Sequence, residues 1–73
     1  MPVMARKRLG ARIRARRSEL GFSQDELAHR CGLHRTYVGG IERGERNPSL
    51  VNLLKIARAF NLSVAELVAG IDR

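Results

Sequence analysis

A single cysteine, Cys31, in a chain of 73 residues excludes an intramolecular disulfide framework. No apolar stretch is long enough for a membrane span or for the core of a signal peptide, so the expected location is reducing and cytoplasmic. Acid is also missing where base is dense: Arg6, Lys7, Arg8, Arg12, Arg14, Arg16 and Arg17 all precede the first carboxylate, Glu19. With a net charge of +7 and a pI near 11.3, this imbalance suits a polyanionic partner, either nucleic acid or an anionic membrane surface. The makings of an active site are absent too. Ser23, Ser49 and Ser63 stand where helices start, the carboxylates are scattered, and no glycine-rich loop follows a strand. His29, Cys31 and His34 lie close together, but three ligands do not complete a structural zinc site, and Cys31 fits better as a small core residue. Neither enzymatic activity nor a metal, cofactor or small-molecule ligand is expected.

What is present reads as one small all-α domain. Hydrophobic residues make up 44% and charged residues 29%, a globular balance. A domain this small buries only about 60% of its unfolded surface, so a partner copy is expected. Residues 1–6, with Pro2, read as a flexible basic arm, and residues 7–73 as the domain. Leu9, Ile13 and Leu20 recur at helical spacing up to Gly21, which predicts a first helix from about Lys7 to Leu20. Ser23-Gln24-Asp25-Glu26 is a capping box for a second helix over about 24–31, closed by Gly32. A third runs over about 35–42. Ser49 caps a fourth whose Leu50, Leu53, Leu54, Ala57 and Phe60 line one side. A second capping box, Ser63-Val64-Ala65-Glu66, opens a fifth that carries Leu67, Val68 and Ile71.

Two helices joined by a short glycine-containing turn, here Gly32-Leu33-His34, form a helix-turn-helix, whose second helix can enter the DNA major groove. At about 100° per residue, Val38 and Ile41 face inward with Tyr37 at their flank, and Arg35, Thr36, Gly39, Gly40 and Arg43 face outward. Arginine forks there could read base edges. The adjacent glycines are expected to leave bare backbone for close approach to the groove; the alternative is that they frame a loosely formed helix or pack against a neighbouring segment. His34, at the start of this helix, is placed to touch a phosphate.

The run SQDELAHRCGLHRTYVGGIERGERNPSLVNLLKIA closely resembles the helix-turn-helix of the Cro/CI repressor superfamily, the XRE family. Within it, RTYVGGIERGERN resembles the small controller proteins of restriction-modification systems. The resemblance implies a five-helix, lambda-repressor-like DNA-binding domain that acts as a homodimer on palindromic double-stranded DNA. It makes Gln24 a phosphate clamp, Arg35 and Thr36 base-contacting positions, and Arg46 and Asn47 loop positions near the DNA backbone, with Arg46 also able to reach bases. It pairs Arg17 with Glu42. Gly39 departs from the polar residue the family often carries there. Gly40, Arg43 and Arg46 complete the candidate base-reading set with Arg35, Thr36 and Gly39, while His34, Tyr37 and Ser49 join Gln24 and Asn47 as candidate phosphate contacts.

Val51, Leu62, Val64, Val68 and Ile71 supply more apolar surface than so small a core can cover, and form the candidate dimer interface. The expected function is a transcriptional regulator, in the manner of a restriction-modification controller, with RNA polymerase as a candidate further partner and no effector domain. The rival class is an antitoxin or adaptor that uses the same scaffold for protein binding. RNA or membrane binding through the N-terminal cations ranks third, because neither requires the turn.

Overall fold

Serine hydroxyls start three of the five helices in the computed structural model, which describes residues 1–73. The elements run α1 (Val3–Glu19), α2 (Gln24–Cys31), α3 (Arg35–Glu42), α4 (Leu50–Ala59) and α5 (Val64–Val68). The fold is all-α. Ser23 Oγ accepts from the Glu26 amide at 3.0 Å, Ser49 Oγ from the Asn52 amide at 3.1 Å, and Ser63 Oγ from the Glu66 amide at 3.0 Å. Each such cap stabilises its helix by about 1 kcal/mol. At Ser63 the box closes, since Glu66 Oε1 accepts from the Ser63 amide at 3.0 Å. The expected box at Ser23 stays half-formed: Glu26 Oε1 instead accepts from Arg30 Nη2, one turn further on, at 3.0 Å. Left-handed residues end α2 at Gly32 (φ 67°) and follow α4 at Asn61 (φ 57°), letting the chain double back.

The core is built from Leu9 and Ile13 of α1, Leu27, Ala28 and Cys31 of α2, Val38 and Ile41 of α3, Leu53, Ile56 and Ala57 of α4, then Phe60 and Leu67. Truncating one of its fully buried leucines would cost about 2–5 kcal/mol. Several expectations need correction. The supposed arm is helical from Val3, because Ala5 is buried in the core and Arg6 Nε donates to the Gly44 carbonyl at 3.0 Å. Leu20 is exposed at the end of α1, and Leu50 and Leu54 lie on the outside of α4 while Ile56 takes the inward place. The last helix stops at Val68. Ile71 follows in a turn after Gly70 and tucks into the core, so it is no interface residue.

The basic row of α1 is largely spent on carbonyls. Arg16 Nη2 donates to Phe60 O at 3.2 Å, Arg12 Nη1 to Leu67 O at 3.1 Å and also to Ala69 O, and Arg8 Nη1 to Ile71 O at 3.3 Å. Spaced four apart, these arginines lie on one side of the helix; Arg16 and Arg12 satisfy carbonyls at the C-terminal ends of α4 and α5, where cations are favoured, and Arg8 one in the turn beyond. They strap the C-terminal segment down.

Where α1 crosses α3, Gly10 leaves room for the end of the third helix. A Cβ at Gly10 would stand 2.6 Å from the Glu42 carbonyl oxygen, which is backbone and cannot swing aside. The two helices meet main chain to main chain at this point.

Candidate nucleic-acid interface

Glu42, the last residue of α3, is buried and receives three hydrogen bonds. Arg17 grips it with a fork, Nε to Oε2 at 2.7 Å and Nη2 to Oε1 at 3.0 Å, and Gln24 Nε2 donates to Oε1 at 3.0 Å. Arg17 Nη1 also donates to the Phe22 carbonyl at 2.9 Å. The hydrogen bond to Glu42 raises the Arg17 pKa above its usual value, outweighing the opposing desolvation, so the guanidinium stays charged. Bidentate pairs of this kind fix orientation as well as energy. One network thus ties α1, the start of α2 and the end of α3, and sets how the third helix stands on the domain.

Outside this network lies a shallow hollow lined only by polar residues and glycine: Gln24, Arg35, Thr36, Gly39 and Arg43. Arg35 and Arg43 are exposed. Arg35 Nε lies 3.7 Å from Asp25 Oδ1, and Arg43 Nε lies 3.1 Å from Glu45 Oε1. Exposed pairs contribute roughly 0–1 kcal/mol, so either arginine can leave its carboxylate for a phosphate or a base edge. Neither acid stands out in the sequence as a partner, although Glu45 is only two residues from Arg43 and Asp25 is in the first turn of α2.

His34 precedes α3, exposed and without a side-chain cap bond, beside the helix's free amides. Ser49 and Asn47 are exposed on the loop into α4. Tyr37 is half-buried against the core, and its oxygen accepts from Asn52 Nδ2 at 3.1 Å, leaving its own proton to donate. Gln24 combines a place at the hollow with its bond to Glu42.

The glycines do not present bare backbone outward. Both are buried within the chain itself. A Cβ on Gly39 would meet Arg43 Nη1 at 3.1 Å and Gln24 Oε1 at 3.6 Å, so side chains of the hollow lie over it. A Cβ on Gly40 would meet Arg46 Cγ at 2.7 Å, Nε at 3.4 Å and Cδ at 3.7 Å. Packing against a neighbouring segment is the reading that holds.

On α4, Leu50, Val51 and Leu54 form an exposed apolar strip, 65%, 60% and 51% accessible. Leu62, Val64 and Val68 are half-buried against the core. Cys31 is buried between α2 and α4, and desolvation pushes its thiol pKa up, opposed in part by the charge of Lys55. No helix is long and apolar enough to cross a membrane.

Residues 13–67 match the family model HTH_3, helix-turn-helix. The control protein C.SmaI of Serratia marcescens is 45% identical over 60 residues, covering 82% of this chain and 71% of its own. The crystal structure of the restriction-modification controller protein C.AhdI from Aeromonas hydrophila superposes with a TM-score of 0.83 at 50% identity, over 85% of this chain and 94% of that one. SinR, a master regulator for biofilm formation solved in complex with DNA, gives a TM-score of 0.77 at 38% identity, over 81% and 95% of the two chains.

Proposed function

The chain belongs to the helix-turn-helix family HTH_3, of XRE type, and from that premise we propose that it is a sequence-specific DNA-binding transcriptional regulator of the restriction-modification controller kind. It acts in the cytoplasm as a homodimer on a pseudo-palindromic operator. The observation that carries this reading is the polar hollow over α2 and α3, with arginines only loosely held by exposed acids and a buried network fixing the helix behind them. Arg35, Thr36, Arg43 and Arg46 read base edges; Gln24, His34, Tyr37, Asn47 and Ser49 hold phosphates. The similarity to C.SmaI and C.AhdI supports the controller role, and that to SinR supports the DNA.

The α4 strip of Leu50, Val51 and Leu54, flanked by Leu62, Val64 and Val68, forms the two-fold dimer contact. Recognition helices about 34 Å apart then meet half-sites one helical turn apart. A fluorescence-anisotropy titration tests the function. With about six to ten phosphates neutralised, affinity for duplex falls by roughly 10³ to 10⁵ between about 50 and 200 mM salt. Absence of duplex binding at low salt overturns the reading. Sedimentation of Leu54→Asp should show a shift towards monomer together with weaker operator binding; a monomeric wild type, on DNA and off it, removes the dimer.

A further inference from the structure

Of the three interface arginines, Arg46 alone has no acid partner. Arg35 faces Asp25 and Arg43 faces Glu45, whereas Arg46 makes neither a hydrogen bond nor an ion pair within the chain. What meets it is Gly40. The three heavy atoms nearest to a Cβ at that position are Cγ, Nε and Cδ of Arg46, so the arginine stem lies flat on the main chain of α3 in the space a side chain would occupy.

We infer that Gly40 is a specificity-positioning residue: by lacking a side chain, it lets Arg46 fold back over the C-terminal half of α3 and hold its guanidinium against that helix, on the face that Gly40 shares with Thr36 one turn earlier. Gly40 touches no DNA in this arrangement. The helix has no side chain of its own at positions 39 and 40, and a donor from the following loop takes the place of one. An alanine there meets Cγ, in the middle of the stem, well inside van der Waals contact. Arg46 must then rotate away, although every donor is still present.

The inference rests on the DNA-binding reading, and the experiment separates the two. Wild-type protein first selects duplexes from a randomised pool; enrichment of no sequence means that the reading itself fails. On the selected duplex, Arg46→Ala should weaken binding about 5- to 150-fold, the span of one good base contact. Gly40→Ala should weaken it by a similar factor while changing random-duplex affinity by no more than about twofold. In the Arg46→Ala background, Gly40→Ala should have almost no further effect, because the three atoms nearest the new methyl, all beyond Cβ of Arg46, are gone. Thermal melts accompany the titrations. Should Gly40→Ala melt early, recovery in the double variant supports the same contact. Unchanged affinity in either single variant, equal losses from Gly40→Ala in both backgrounds, or a double variant that stays unfolded would overturn the inference.

Discussion

Arginines fill two regions of this molecule and behave differently in each. Along α1, Arg8, Arg12, Arg16 and Arg17 turn onto carbonyls and a buried carboxylate, with partners far away in the chain. Around α3, Arg35, Arg43 and Arg46 stand exposed, held by a loose ion pair or by none. The denser cluster in sequence is therefore the more committed one in space. Charge density suits a polyanionic partner, and in the proposed reading the surface that meets it is the one whose guanidinium groups lack strong internal acceptors. A guanidinium hydrogen-bonded to a helix's last carbonyls has a partner to lose before it can take another.

Four measurements would sharpen or break this contrast. The largest effect is expected at Glu42, where the two regions join. Glu42→Ala leaves Arg17 mostly buried without its acid and should cost about 3–5 kcal/mol, with Gln24 released as well. Thermal melts of Glu42→Ala, Arg17→Ala and the double variant should be strongly non-additive; strict additivity would mean the fork contributes nothing. Next comes Arg35→Ala, expected to lose about 1–3 kcal/mol on the selected duplex and little on random DNA, with the melting temperature nearly unchanged. Equal losses on both duplexes would deny Arg35 a part in reading sequence.

Arg12→Ala should show the reverse. Two carbonyls, Leu67 O and Ala69 O, lose their donor, which predicts a destabilisation of about 1–2 kcal/mol, below a fully buried charged bond because the site is partly wet. The slope of log affinity against log salt should stay where it was. A shallower slope would place Arg12 on phosphate and end the contrast. The smallest effect lies at the start of the strapped segment. Glu66 is held below its ordinary pKa by the Ser63 amide, then by the Ser63 hydroxyl, against a smaller opposing desolvation, with Arg16 adding a lesser attraction. A depressed folded value means stability that is present above the unfolded pKa, about 4.3 for glutamate, and lost as pH falls through the folded value. Melts between about pH 5 and 3 should fall slightly less steeply for Glu66→Gln, and identical slopes would remove Glu66 from the acid response.

The helix-turn-helix was legible because its signals are local. Ser23, Ser49 and Ser63 bond amides three residues on and Gly32 ends α2 by its own backbone, so 24–31 and the starts of α4 and α5 follow from short-range chemistry, while α3, uncapped at His34, is framed by the positive-φ glycines Gly32 and Gly44. What escaped depends on distant partners. Val3 to Arg6 looked like a tail because what anchors them is Gly44, 38 residues from Arg6. Leu50 and Leu54 keep the same spacing as core residues, and periodicity alone does not say which leucine of a broad apolar face stays uncovered. Helical phase and family pattern nominate candidate site residues, yet the neighbour of Gly40 is a loop side chain with no periodicity to betray it.

The main-chain contact at Gly10 has a consequence for how such a protein can change. Because the end of α3 rests on the backbone of α1, the helix keeps its bearing whatever side chains its outer face carries. If Arg35, Thr36 and Arg43 read bases as proposed, replacements there would alter which bases are preferred without re-aiming the helix that presents them. On that reading, operator preference could change one residue at a time while each variant keeps the same docking pose.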